Sequence, residues 1–242
     1  MTASVLAHET NTETSGLSDD NTVSKPTGTA DGNLLVSAVG LDGNDGGTNA
    51  PSGFTLDYDF VSNTSALASG HKTAGASEPS SYTWDGWNNE PSIAGMLAIE
   101  DHDVIDVTNN NTSDATTIGT SITTTADDCL LVVFVSSESG DASWSAPDGT
   151  WTELFDLNTT GGNAGTSLAC FTKAQASAGA SGTLTFTSSE DNNNSIVIYA
   201  IAPAAVAANV VKTFNGIAKA SIKTYKDIAV ASVKTINGIS LT

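Results

Sequence analysis

Few side chains in this 242-residue sequence have the chemistry to act on a substrate, and their spacing decides what they are worth. The histidines are His8, His71 and His102. His71 lies in a segment, 65–77, that recurs at 166–177 with Phe171 or Thr172 in its place, so a catalytic base is not required there. His102 stands between Asp101 and Asp103; the trio could hold a metal with another ligand, but it reads as a solvated loop. No Gly-x-Ser-x-Gly elbow or supported Ser/His/Asp set is present. Glu78, Glu90, Glu100 and Glu153 are the carboxylates a glycoside hydrolase would pair, yet they fall beside turns and strand ends without a shared face. The expectation is a protein that is not an enzyme.

Two binding chemistries remain. Asp42, Asn44 and Asp45, within Leu-Asp-Gly-Asn-Asp-Gly-Gly-Thr-Asn (41–49), offer oxygens suited to calcium, the one cofactor the sequence suggests. The stretch misses the EF-hand frame, because Gly46 stands where Asp or Asn is needed and no Glu occupies position 12. An Asx-rich connector between strands is the plainer reading. Among the tryptophans, Tyr82 and Trp84 alternate onto one face and are expected in the core. Trp87 and Trp144 sit in polar, turn-like surroundings and are expected to be exposed, where they could stack on a host surface glycan.

Charge narrows the partners. The sequence has 27 acids, 8 lysines and no arginine, for a net charge of −19. That repels phosphate backbones and anionic bilayers, so neither nucleic acid nor membrane is an expected partner. The charge is also uneven. Residues 1–209 hold Lys25, Lys72 and Lys173 against 26 acids, a balance of −23, while residues 210–242 hold five lysines against Asp227 alone, a balance of +4. Cys129 and Cys170 lie in apolar runs and read as small core residues rather than a disulfide framework. No apolar run approaches the ~20 residues that span a bilayer, and the first ten residues lack a basic, apolar leader pattern, so synthesis in the cytoplasm is expected.

The elements that must position these residues are short and β-branched. Runs at 33–39, 92–100, 129–136, 183–187 and 195–202 are bounded by Gly, Asn, Asp and Ser turns and predict sandwich strands. Residues 1–28 read as an extended lead-in and 101–111 as a polar linker. The body is internally duplicated. Thr-Ala-Asp-Gly-Asn-Leu-Leu-Val (29–36) returns as Thr-Ala-Asp-Asp-Cys-Leu-Leu-Val (125–132), and Ala-Pro-Ser-Gly-Phe-Thr (50–55) as Ala-Pro-Asp-Gly-Thr-Trp-Thr (146–152). The copies span about 29–108 and 115–203 of a body at 29–209. They could form two sandwiches or one, and the exposed edges of so small a unit favour closely packed halves.

Residues 210–242 repeat at a period of eleven: Val-Lys-Thr-Phe-Asn-Gly-Ile, Ile-Lys-Thr-Tyr-Lys-Asp-Ile, Val-Lys-Thr-Ile-Asn-Gly-Ile. Asn-Gly between alternating residues is a strong hairpin signal, because both turn positions need positive φ. A four-stranded meander at 210–214, 217–225, 228–236 and 239–242 follows. A sheet this small is marginal alone and would pack on copies of itself or on another protein. Lys212, Phe214, Asn215, Gly216, Lys223, Tyr225, Lys234, Asn237 and Gly238 are the candidate assembly residues, and a homotrimer is the expected state.

The body pattern, with Glu-Pro-Ser-Ser-Tyr-Thr-Trp (78–84) as its most specific part, resembles a domain of structural proteins of tailed bacteriophages. The tail units are similar to short C-terminal repeats of phage virion proteins. The second copy departs from the pattern, having Gly-Ala-Ser-Gly-Thr-Leu-Thr-Phe (179–186) in place of the Glu-Pro motif. The resemblance implies a virion part contacting other virion proteins. The sequence therefore predicts an all-β chain, a duplicated jelly-roll-like β-sandwich followed by a C-terminal β-meander. Its expected role is a structural virion component, a surface-exposed fibre or tail appendage or a head decoration protein. The alternative is an adhesin module that binds host polysaccharide during host attachment.

Overall fold

Strands that are apolar at most successive positions must be covered on both faces, and four such strands organise the molecule. Leu34–Asp42, Ser92–Glu100, Cys129–Ser137 and Asn193–Pro203 are buried along nearly their whole length. The computed structural model describes residues 2–14, 19–43, 47–61, 65–87, 89–159 and 165–205, with six dipeptides of the C-terminal segment. Contacts divide the chain into two units, Met1–Ala204 and Ala205–Thr242. The protein is all-β, and no helix occurs among the described residues.

In chain order the first copy comprises β1 (Ser4–Glu13), β2 (Asp20–Ser24), β3 (Leu34–Asp42), β4 (Thr55–Val61), β5 (Ser65–Thr73), β6 (Ser81–Asp85) and β7 (Ser92–Glu100). The second comprises β8 (His102–Asp114), β9 (Thr117–Thr120), β10 (Thr123–Thr124), β11 (Cys129–Ser137), β12 (Trp144–Ser145), β13 (Thr152–Asn158), β14 (Ser167–Gln175), β15 (Gly179–Ala180), β16 (Leu184–Ser188) and β17 (Asn193–Pro203). The five-stranded sheet β1-β7-β3-β5-β4 is matched strand for strand by β8-β17-β11-β14-β13. A small sheet β2-β6 covers the first, and β9-β16-β12 covers the second. First strands pair with last and second with next-to-last, which is jelly-roll winding, executed twice.

The layers stack as small sheet, large sheet, large sheet, small sheet. Outer strands obey the rule for one covered face: β2 and β16 alternate buried and exposed residues. Between the large sheets lies one core drawn from both copies, including Val36, Leu97, Phe134 and Tyr199. β3 faces β11 so closely that a Cβ on Gly40 would lie 2.6 Å from Ser136 Oγ. β1 lies over β13, with the rings of His8 and Phe155 5.8 Å apart, and β5 lies over β17. This is the arrangement a pseudo-twofold axis between β3 and β11 generates. The two halves do not contribute equal volumes. Phe134 and Val197 occupy positions held in the first copy by Ala38 and Gly95. The ring of Phe155 fills the room that Gly95 leaves, where a Cβ would come within 2.4 Å of it.

Each outermost strand of the large sheets is interrupted by a bulge. The register slips at Leu6 in β1, at Asp57 in β4, at Leu154 in β13 and at Asp106 in β8. Bulges twist an edge away from further pairing. Asp57 and Leu154 occupy equivalent positions, so this irregularity is part of the duplicated plan.

Several expectations change. Residues 1–28 are not a loose lead-in: β1 pairs with β7 and β2 with β6. The expected linker at 101–111 is instead strand from His102 onward: it forms most of β8, the outer strand beside β17. The copies therefore run from β1 to β7 and from β8 to β17, rather than starting near 29 and 115. Edge strands face water on one side and carry polar residues, which hid them in the sequence. In the tail, Thr213–Phe214 pairs with Ile217–Ala218, Thr224–Tyr225 with Ile228–Ala229, and Thr235–Ile236 with Ile239–Ser240, all antiparallel. The rest of the expected meander lies outside the described residues.

Gly95→Ala should destabilise the body by about 1–3 kcal/mol, because Phe155 is packed on every side and must shift. Phe155→Leu in the same chain should recover part of that loss, read as urea midpoints of the four-member cycle. Strictly additive midpoints would show that the two sites do not interact.

Candidate functional site

The most specific motif of the sequence forms a side-chain hub at the start of β6. Glu78 Oε2 accepts from Lys72 Nζ at 2.7 Å and from the Tyr82 hydroxyl, while Gly75 N–H donates to Oε1 at 2.5 Å. Lys72 Nζ also lies 5.5 Å from the centre of the Tyr82 ring. Burial opposes ionisation of Glu78, but the Gly75 N–H, Lys72 and Tyr82 outweigh it and hold the carboxyl at about 2. Burial and the Glu78 carboxylate push the Tyr82 hydroxyl up. Lys72 is thus a clamp between the end of β5 and the loop into β6. In the second copy Lys173 keeps its register position opposite Leu131. It pairs instead with Asp148 at 3.6 Å and lies 5.6 Å from the Trp151 ring. The absent Glu-Pro motif is replaced by an acid from the Ala-Pro-Asp-Gly turn.

A second network crosses between the halves and was not anticipated from the sequence. His71 Nδ1 lies 2.7 Å from Asp57 Oδ2. Tyr199 O–H reaches Asp57 Oδ2 at 3.1 Å and Ser69 Oγ at 2.6 Å. Burial, then Asp57, drives the Tyr199 hydroxyl well up. The β4 bulge turns Asp57 inward, and its counterpart Leu154 packs against the same core. The counterpart of His71 is Thr172, which confines this network to the first copy.

A third set of acids lies at the far end of β3. Asp42 and Glu138 hold equivalent positions in the two copies, and their backbones are anchored alike: Asp42 N–H to the Pro91 carbonyl at 3.2 Å, Glu138 N–H to the Asn193 carbonyl at 3.1 Å. Burial, then Glu90 and Glu138, raises the Asp42 carboxyl to about 7. Burial also raises Asp156 to about 6, against the Trp144 N–H that donates to it at 2.8 Å. Of the calcium candidates, Asp42 is half-buried here, and Asn44 and Asp45 lie outside the described residues. No group of three His, Cys, Asp or Glu side chains among the described residues is placed to hold a metal ion.

The expected sugar platform is corrected. Trp87 is 1 % exposed and Trp144 4 %, so neither offers a ring face to solvent. Trp144 Nε1 donates to Ser167 Oγ at 3.1 Å, as Trp84 Nε1 does to Ser37 Oγ at 2.9 Å. The polar residues around them are surface turns that close over the rings. Tyr82 and Trp84 are buried as anticipated. The four glutamates stand apart: Glu78 in the hub, Glu90 near Asp42, Glu100 opposite Ser4 at the end of β7, Glu153 near Asp156. His102 Nε2 lies 2.8 Å from the Gly32 carbonyl, tying β8 to the first copy. Of the assembly residues, Phe214 pairs with Ile217 and Tyr225 with Ile228. Lys212, Asn215, Gly216, Lys223, Lys234, Asn237 and Gly238 lie outside the described residues.

Beside the hub a groove of about 720 Å³ runs along β6, from Ser77 and Glu78 to Asp85, with Ser52 and Gly53 on its opposite wall. Its charged groups are already paired: Lys72 with Glu78, and Asp85 Oδ1 with Asn49 Nδ2 at 2.8 Å. Comparisons of the chain with protein families, characterised proteins and solved structures find no match.

Glu78 ionises more easily folded than unfolded, where its pKa is about 4.3. The stability it provides is therefore present above about pH 4 and lost as pH falls toward 2. Glu78→Gln should lower the thermal midpoint at pH 6 and converge on the unsubstituted protein near pH 2.5; a constant gap would refute the hub. Asp42 has the opposite sign: its raised value costs stability as pH climbs from about 4 through about 7. Asp42→Asn should raise the midpoint at pH 8 and leave it unchanged at pH 4.

Proposed function

We propose that this chain is a non-enzymatic structural component of a tailed-phage virion, a surface fibre or tail appendage or a head decoration protein, that self-assembles through residues 205–242. The observation that carries the reading is the tail. Three antiparallel strand pairs recur at an eleven-residue spacing in a unit distinct from the body. Small sheets of this kind are marginal alone and are stabilised by pairing with a partner. The body supports the reading by how it spends its polar side chains: Lys72, Glu78, Tyr82, Asp57, His71 and Lys173 all serve to join segments of the fold. The phage resemblance supplies the setting, and its most specific motif is the Glu78 hub, a structural device.

Light scattering on the full chain and on a chain ending at Ala204 tests the assembly. A homotrimer mass is expected for the first and a monomer mass for the second. An oligomer that survives the truncation would overturn the role of the tail.

A further inference from the structure

The edges of the large sheets are blunted by bulges, and those of the small sheets are not. The outer strands of both large sheets carry bulges, whereas β6 pairs with β2 in continuous register from Asp20–Asp85 to Ser24–Ser81. Backbone groups along a strand point alternately to its two sides. Lys25 N–H bonds the Ser80 carbonyl at 2.9 Å, which assigns residues 80, 82 and 84 to the β2 side. Asp85 exchanges bonds with Asn49 on the other side, at 2.7 and 3.3 Å. The N–H and C=O groups of Ser81 and Thr83 therefore point with those of Asp85, away from β2 and into the 720 Å³ groove. Among the described residues no strand lies beside them there, and the one backbone bridge on that side is Asn49–Asp85. In the second copy the end of the equivalent strand, β16, is met in the same way by Trp144 and Ser145 of β12, one pair more than the single Asn49–Asp85 bridge.

We infer that this groove receives an extended Val/Ile-Lys-Thr strand from the C-terminal repeat of a second copy of the chain, added edge-on to β6. The inference rests on the self-assembly proposed above and names its receiving site. Strand addition needs a flat, unbulged edge with free backbone groups and room for alternate side chains, and β6 with its groove supplies all three. Charge selects the occupant. The groove's own charged lining, Lys72, Glu78 and Asp85, sums to −1 within a stretch of balance −23, and Asp20 faces Asp85 across β2 and β6. The repeat carries a balance of +4, with a lysine in each Val/Ile-Lys-Thr unit. Val and Thr of such a strand face one side and Lys the other, so the lysine can lie along the acidic rim. One tail and one β6 groove per copy make the contact heterologous, and three copies can close it into a ring.

Thr83→Pro removes the groove-facing N–H at the centre of β6 and leaves the β2 ladder intact, a position where an edge strand tolerates proline. In the full chain it should shift the mass from oligomer to monomer with an unchanged circular dichroism spectrum. Should that variant unfold, a second pair decides: Ser81→Cys with Thr224→Cys should give disulfide-linked multimers on non-reducing gels, which neither single variant gives, since Cys129 and Cys170 are buried. A Thr83→Pro chain that folds and stays oligomeric, or a double-cysteine chain without cross-links, overturns the β6 site while the truncation at Ala204 still reports on assembly. A full chain that is monomeric overturns both.

Discussion

Everything in the body depends on two large sheets meeting face to face and being covered again on their outer faces. The middle of such a five-stranded sheet has no water-facing side, so β3, β7, β11 and β17 can be apolar at successive positions without exposing anything. Neither copy could do this alone, because its large sheet would present half of the central core to solvent. Duplication solves the covering problem by supplying the missing layer from the same chain. The small sheets then need only one apolar face each, which is why β2, β6 and β16 alternate.

The polar side chains are arranged around that constraint. Buried charge is tolerated when its bonds are satisfied, and Glu78 receives three donors where β5 turns into β6. The Asp57–Tyr199 contact sits between the large sheets and pins one half to the other at a point where the counterpart residues, Leu154 and Leu97, are apolar. The acids at the far end of β3 are less well compensated, and the raised Asp42 carboxyl records it. The two copies have thus kept their winding while diverging in how they spend charge.

The parts legible in the sequence were those with a strong local signal. Apolar runs such as Cys129–Ser137 announced the central strands, and repeated landmarks at Pro51 and Pro147 or Lys72 and Lys173 announced the duplication. Edge strands did not, because Ser4–Glu13 and His102–Asp114 look like polar linkers until their partners are present. A bulge changes which face a residue meets, so the inward turn of Asp57 leaves no periodic trace. Trp87 and Trp144 were misplaced for a related reason: their neighbours in sequence are polar, but their neighbours in space are the core. The Glu-Pro motif was visible as a motif, while its function as a charge hub needed Lys72 brought round from the preceding strand.

The unequal volumes across the central interface bear on how a newly made chain avoids error. Two halves with the same winding offer each strand a near-identical wrong neighbour, in the same chain or in another emerging beside it, which is the usual route to exchanged and tangled repeats. The fit is one-sided: two second halves would press Phe155 onto Val197 rather than onto Gly95, whereas the first half carries Tyr58 at the position equivalent to Phe155. The contact of Phe155 with Gly95 therefore disfavours one of the two like-half pairings, that of two second halves.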